Sequence, residues 1–171
     1  MIEACRLTLR PWKESDWLSA KAIFGDADVM QFSDHGVFTE TQQAAWFQAA
    51  LASGNKLELP LVLAIEKKQD RQTIGYISLG CDPERVRHGD AEIGFRLARD
   101  AWGLGYATEA VTALVETPQM TKPVNRIVAI VDPHNTRSIG VLRKAGMSYR
   151  LDVMFEGYDY PDHLYVRDLE A

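Results

Sequence analysis

Trp102-Gly103-Leu104-Gly105-Tyr106 is the stretch of this chain best suited to hold an anion. Before it, Ala91, Ile93, Phe95 and Leu97 alternate with Glu92, Gly94 and Arg96 as the two faces of a strand. After it, Ala107, Ala110, Val111, Leu114 and Val115 repeat as the buried face of a helix. A glycine turn that feeds a helix presents backbone N–H groups without intrahelical partners, and the helix dipole adds partial positive charge. Glycine also lets the backbone approach a phosphate with no Cβ in the way. The expectation is a seat for a phosphate-bearing cofactor, against the plainer reading of a corner that only joins strand to helix. A mononucleotide loop needs Lys-Ser/Thr after its last glycine, where Tyr106-Ala107 stand. A dinucleotide fingerprint needs a third glycine, where Thr108 stands.

Other reactive groups are sparse. Cys5 and Cys81 are far apart and lack a CxxC or His-rich companion, so neither a disulfide framework nor a metal site is expected. Cys81 reads as a small buried or loop thiol before it reads as a nucleophile. A net charge of −5 argues against direct binding of nucleic acid and suits an amine or a basic peptide. No apolar run is long enough for a membrane span, and MIEACRLTLR lacks a signal-peptide core, which makes a cytoplasmic address the expectation. The 171 residues suit a single domain, 1–171, with no linker dividing it.

The elements that must position these residues follow in order. Arg6 to Arg10 alternates as a strand ended by Pro11. Ser15 or Asp16 caps a helix bearing Trp17, Ala20 and Phe24, and a short helix is expected over Asp26 to Phe32. Thr39-Glu40-Thr41-Gln42 is a capping box that opens a helix to Ala52, with Gly54 as its stop. Trp46 on that helix either lines a pocket or packs beneath a loop. Leu61 to Lys68 and Thr73 to Gly80 form a hairpin. Pro118 and Pro123 bound the loop after the glycine-fed helix. Arg126 to Asp132 is an apolar run typical of a strand buried on both faces. A helix from Thr136 to Ala145 starts after Asn135 and stops at Gly146, and strands follow at Met147 to Phe155 and His163 to Leu169. The fold class is therefore α/β, with one central mixed β-sheet and helices on both faces.

Two motifs in this order resemble the GNAT superfamily of N-acetyltransferases. Asp100-Ala101-Trp102-Gly103-Leu104-Gly105 is similar to its acyl-CoA motif (Gln/Arg)-x-x-Gly-x-(Gly/Ala), departing at the acidic first position. The form WG-x-GYATEA resembles the branch containing the ribosomal-protein-alanine N-acetyltransferases. Asn135 to Ser138, with Leu142, Lys144, Gly146 and Met147, is similar to the second signature, N-x-x-S…L-x-K-x-G-(F/M). The resemblance covers nearly the whole chain. It implies acetyl-CoA as donor, an amine acceptor such as a peptide N-terminus or a small molecule, and direct attack on the thioester in a ternary complex. Edge strands in this fold often mediate dimers, so it also allows a homodimer.

The resemblance assigns roles residue by residue. The pyrophosphate is expected on the N–H groups of Trp102, Gly103, Leu104, Gly105, Tyr106 and Ala107, with Thr108 capping or adding a hydroxyl. Arg96 and Leu97 flank the pantetheine, Asn135 hydrogen-bonds it, and the Phe95 N–H polarises the thioester. Trp102 and Asn135 also have plain readings, as core aromatic and helix cap. Glu92, mid-strand between apolar neighbours, is the expected base, directly or through a water, with partial burial raising its pKa. A cross-strand charge facing solvent is its alternative. Many relatives carry a Tyr acid seven residues beyond the Asn, where this chain has Leu142. Ser138 takes its place as the expected acid, with Tyr149 and Tyr165 behind it. That departure, with Asp100, keeps open a second reading: a non-catalytic acyl-CoA-binding or sensor domain on the same fold.

Overall fold

A computed structural model describes residues 1–53, 59–82, 84–117 and 124–169. The stops expected at Gly54, Pro118 and Pro123 lie outside them. Eight strands form one sheet in the order β1-β2-β3-β4-β5-β6-β8-β7. They are β1 (Ile2–Glu3), β2 (Leu7–Arg10), β3 (Leu61–Lys67), β4 (Thr73–Gly80), β5 (Asp90–Leu97), β6 (Arg126–Val131), β7 (Ser148–Val153) and β8 (Asp162–Asp168). Every neighbouring pair is antiparallel except β5 and β6, which run parallel. Four α-helices accompany the sheet among the described residues: α1 (Trp17–Gly25), α2 (Glu40–Ser53), α3 (Tyr106–Val115) and α4 (Thr136–Lys144). None is long and apolar enough to cross a membrane.

Strand alternation divides the helices between the two faces. On β3, Leu61, Leu63 and Ile65 join a core with Ala110, Val111 and Leu114 of α3 and Ile139 and Leu142 of α4. Ala64, pointing the other way, packs with Ala20 of α1 and Phe47 and Ala50 of α2. The expected mixed sheet with helices on both faces is the architecture found. The capping box at Thr39 forms as read: its N–H donates to Gln42 Oε1 at 2.9 Å, and Gln42 N–H returns to Thr39 Oγ1 at 3.3 Å.

Two local expectations change. Asp26 to Phe32 is a run of turns instead of a helix. Asp26 Oδ1 accepts from the N–H groups of Asp28 and Val29 at 2.8 and 3.2 Å, the local side-chain bonding that competes with helix. The clean alternation expected through Tyr149, Leu151 and Val153 is broken by a bulge between Tyr149 and Leu151, which places those two opposite the adjacent residues Tyr165 and Leu164. Tyr149 and Leu151 stay exposed on this edge strand.

A buried ion cluster ties β2 to the helical layer. Arg10 on β2 donates to both Asp16 oxygens at 2.7 and 2.8 Å and to Glu66 of β3 at 2.5 Å. Thr73 Oγ1 of β4 donates to Asp16 at 2.7 Å. Burial pushes the Asp16 carboxyl up, but hydrogen bonds from Arg10, Thr73 and the Lys13 N–H outweigh it and leave the group below the usual carboxylate range. A depressed folded-state pKa stabilises the fold above the unfolded value, and the gain disappears as pH falls through the folded one. Asp16→Ala is expected to cost about 3–5 kcal/mol by stranding Arg10. Denaturant titration at neutral pH measures that loss, and the gap from wild type should narrow as the pH falls into the acid range.

Candidate active site

The site begins with a break in the sheet. β5 and β6 pair at only three positions, Asp90 with Arg126, Ala91 with Ile127 and Glu92 with Val128. Beyond Glu92, β5 stays fully paired with β4, and β6 stays paired with β8 as far as Val131. A gap therefore opens toward the C-terminal ends of the two parallel strands, where ligands of α/β sheets commonly bind. It belongs to a cleft of about 950 Å³ that passes through the sheet. Glu92, Gly94, Arg96, Tyr76 and Ser78 line it on the α1–α2 side. Ile93, Phe95, Asn135, Ser138 and Leu142 line it on the α3–α4 side.

The ladder fixes which backbone groups face the gap. Ala98 N–H donates to Ile74 O at 2.8 Å, so by antiparallel alternation Arg96, Gly94 and Glu92 bond to β4. The N–H and C=O groups of Leu97, Phe95 and Ile93 then point away from β4. Leu97 O accepts from Trp102 Nε1 at 2.9 Å, in keeping with that direction. The Phe95 N–H is thus directed at the opening, as an oxyanion donor must be.

The glycine turn has the conformation its residues require. Gly103 and Gly105 take φ of +73° and +81°, in the region that side chains disfavour. Gly105 is the N-cap of α3 and has no side chain to cap it, so the first-turn N–H groups of Tyr106, Ala107 and Thr108 lack a side-chain partner at the cap. Arg6 braces the turn. Its guanidinium donates to Leu104 O at 3.0 Å and to Glu109 Oε2 at 2.7 Å, and lies 4.5 Å from the centre of the Tyr106 ring. Trp102 departs from the expected set of phosphate donors: its N–H donates to Arg99 O at 3.2 Å and its indole N–H to Leu97 O. Its ring packs on the core, with the Arg137 guanidinium 4.8 Å from the ring centre.

Arg137 escaped the reading of the sequence, where it is one more first-turn polar residue. Among the described residues it faces no carboxylate within ion-pair distance, and it places a positive charge beside the glycine turn. Asn135 caps α4, its Oδ1 accepting from Ser138 N–H at 3.1 Å, and also lines the cleft. Leu142 is buried and fills the site's apolar side. Tyr149 lies on the exposed edge strand and Tyr165 in the core, and neither lines the cleft.

Glu92 reaches the cleft but is not free. Arg85 Nε and one Nη grip its two oxygens at 2.8 and 3.0 Å, a bidentate ion pair. Lone pairs not engaged by that fork still accept hydrogen bonds. Opposite stand Trp46 and Tyr76, with ring centres 5.1 Å apart, and Phe24, 4.4 Å from Trp46. Trp46 both packs and lines the cleft. Gly94 keeps the floor low, since a Cβ there would sit 2.9 Å from Ser78 Oγ.

Comparison with known proteins agrees with this fold. Residues 6–148 match the family model described as an acetyltransferase (GNAT) domain. An uncharacterized N-acetyltransferase, p20, of Bacillus licheniformis is 31% identical over 90% of this chain and 84% of its own length. The crystal structure of a GNAT-family acetyltransferase from Bacillus anthracis superposes with a TM-score of 0.83 at 25% identity, covering 98% of this chain and 97% of that one. The microcin C7 self-immunity acetyltransferase MccE, solved with acetyl-CoA and AMP, shares the fold at a TM-score of 0.76 and 17% identity, covering 96% of this chain and 93% of its own.

Replacing a glycine of the turn tests its conformation. A methyl group at Gly103 would meet open space, so Gly103→Ala is expected to cost about 1–2 kcal/mol through backbone strain alone. Thermal unfolding at neutral pH gives the measurement.

Proposed function

Because the chain belongs to the GNAT acetyltransferase family, we propose that residues 1–171 form one domain that moves an acetyl group from acetyl-CoA to a primary amine. The acceptor is a protein N-terminal amine or a small-molecule amine, and attack is direct, with both substrates bound. The observation that carries this reading is the opening between β5 and β6, with a helix start that has no side-chain cap on one face and an acidic, aromatic-walled cleft on the other.

The residues present fit the donor. Uncapped N–H groups at Gly105 to Thr108, the turn at Gly103 and Leu104, and the Arg137 charge would hold the pyrophosphate. Asn135, Arg96 and Leu97 border the path of the pantetheine arm, and Phe95 N–H faces the place of the thioester oxygen. Bound acetyl-CoA supplies an acyl group already activated for transfer and a thiolate that leaves readily. Ser138, on the cleft wall, is the hydroxyl we place beside that leaving group.

Glu92 acts on the acceptor. Held by Arg85, its carboxylate accepts a hydrogen bond from the amine, directly or through a water, and turns the nitrogen lone pair toward the thioester carbon. An α-amine, with a reference pKa of about 7.7–8.0, asks less proton removal than a lysine near about 10.4, which favours a peptide N-terminus.

One observation favours the sensor as a second reading: Leu142 fills the place where many relatives carry a Tyr acid, and it is buried. Calorimetric titration with acetyl-CoA, followed by CoA thiol release on a panel of amines and N-terminal peptides, separates the two. We expect binding and turnover. Glu92→Gln is expected to lower kcat/KM by about 10- to 100-fold, the worth of a charged hydrogen bond, at unchanged acetyl-CoA affinity. Binding without turnover on any acceptor supports the sensor, and no binding at all removes both readings.

A further inference from the structure

Five carboxylates line the cleft, and their bonding differs. Asp82 accepts from the Glu84 N–H at 2.9 Å. Glu92 is forked by Arg85. Asp34 accepts from the Tyr158 hydroxyl and lies 3.7 Å from Arg85. Asp132 accepts from the Tyr160 hydroxyl at 2.8 Å and from the His134 N–H at 2.7 Å. Asp162 also lines the cleft, and among the described residues no donor reaches its carboxylate.

Its place in the fold is specific. Asp162 is the first residue of β8, just past the last β6–β8 pair, Val131 with His163. It therefore stands at the end of β6, beyond the three positions that pair with β5. We propose that Asp162 is the general base of the transfer: its carboxylate takes a proton from the acceptor ammonium while Glu92 orients the nitrogen. The inference rests on the acetyl-transfer reading above. In the step, one N–H bond of the ammonium breaks, an O–H bond forms on Asp162, and the electron pair stays on nitrogen for attack. The proton then leaves Asp162 for water at the open mouth of the cleft.

The surroundings favour proton uptake here. Burial, and then the negative charges of Asp132 and Asp34, push the Asp162 carboxyl up, while Arg85 and His163 act in the opposite direction. A carboxylate raised in this way is a better match to an amine than an ordinary one. Asp162 is also only partly buried, which gives the proton a route out.

The test uses the full chain with ethylamine and its 2-fluoro, 2,2-difluoro and 2,2,2-trifluoro derivatives, whose basicity falls with each fluorine at nearly constant size. Asp162→Asn, an isosteric change, is expected to keep acetyl-CoA affinity and lower kcat/KM for ethylamine about 100-fold or more. It should remove the enzyme's own acid limb from the pH profile, leaving only the rise that follows deprotonation of the free amine, and its deficit should shrink steadily toward trifluoroethylamine, which is already neutral. Asp162→Glu should restore the limb in part. The proposal is overturned if Asp162→Asn keeps the wild-type profile, or if it loses the same factor on every amine, as a packing defect would. It is equally overturned if Glu92→Gln, and not Asp162→Asn, abolishes the acid limb. Wild type that binds acetyl-CoA but acetylates no amine would instead refute the enzyme reading on which this one stands.

Discussion

Two parallel strands that part after three paired residues set the terms for the rest of this molecule. A sheet normally satisfies its backbone groups by pairing on both sides, and an interior strand left open is costly unless something occupies the space. Here β5 and β6 are each pinned by an antiparallel neighbour, so neither can swing across to close the gap. The opening leaves main-chain donors in a rigid line, and it connects the two faces that the sheet would otherwise keep apart. Side chains on alternate positions of one strand, Phe95 and Glu92, thereby serve opposite sides of the same opening.

Rigid supports hold the edges of that opening. On the α3–α4 face, Arg6 grips Glu109 and the Leu104 carbonyl, so the link between β1 and β2 fixes a turn about a hundred residues away in sequence. Behind the acceptor side, Arg10, Asp16 and Glu66 bind β2, β3 and the start of α1 in one buried network. Such a network is weak evidence for stability, because desolvating the charges offsets much of their attraction. Its value lies in geometry: the fork of Arg10 admits few alternative arrangements of those three segments. The aromatic wall of Phe24, Trp46 and Tyr76 is built on the same foundation.

The glycine turn, the helix ends and the strand faces were legible in the sequence because their signals are local. Gly103 and Gly105 announce backbone conformations, Asn135 and Gly146 announce the two ends of a helix, and strand alternation placed Phe95 and Glu92 on opposite faces. What stayed hidden depends on contacts between distant segments. Nothing near Glu92 betrays that Arg85, on the preceding loop, holds both its oxygens, and nothing around Asp162 marks it as the carboxylate left without a donor. Arg137 looks like ordinary solvent-facing polarity until the fold stacks it on Trp102. The bulge after Tyr149 is likewise a matter of pairing, which no single strand reveals. Trp102 erred the other way: its position in the motif named it a phosphate donor, while a short helical turn had already engaged its N–H.

Beside the strand residues Glu92 and Asp162, the mouth on the α1–α2 side is bordered by Asp34 and His35, by Asp82 and Arg85, and by Gly157 and Tyr158, all from connections between elements. The seat on the other face is made from β5, the glycine turn and the starts of α3 and α4, where each atom is fixed by regular structure. Loops accept insertion and substitution far more readily than the elements they join. Selection can therefore redraw the acceptor mouth without disturbing the chemistry behind it. One half of this protein is a fixed tool and the other an exchangeable fitting, and descendants of a common ancestor can diverge in diet while sharing the same engine.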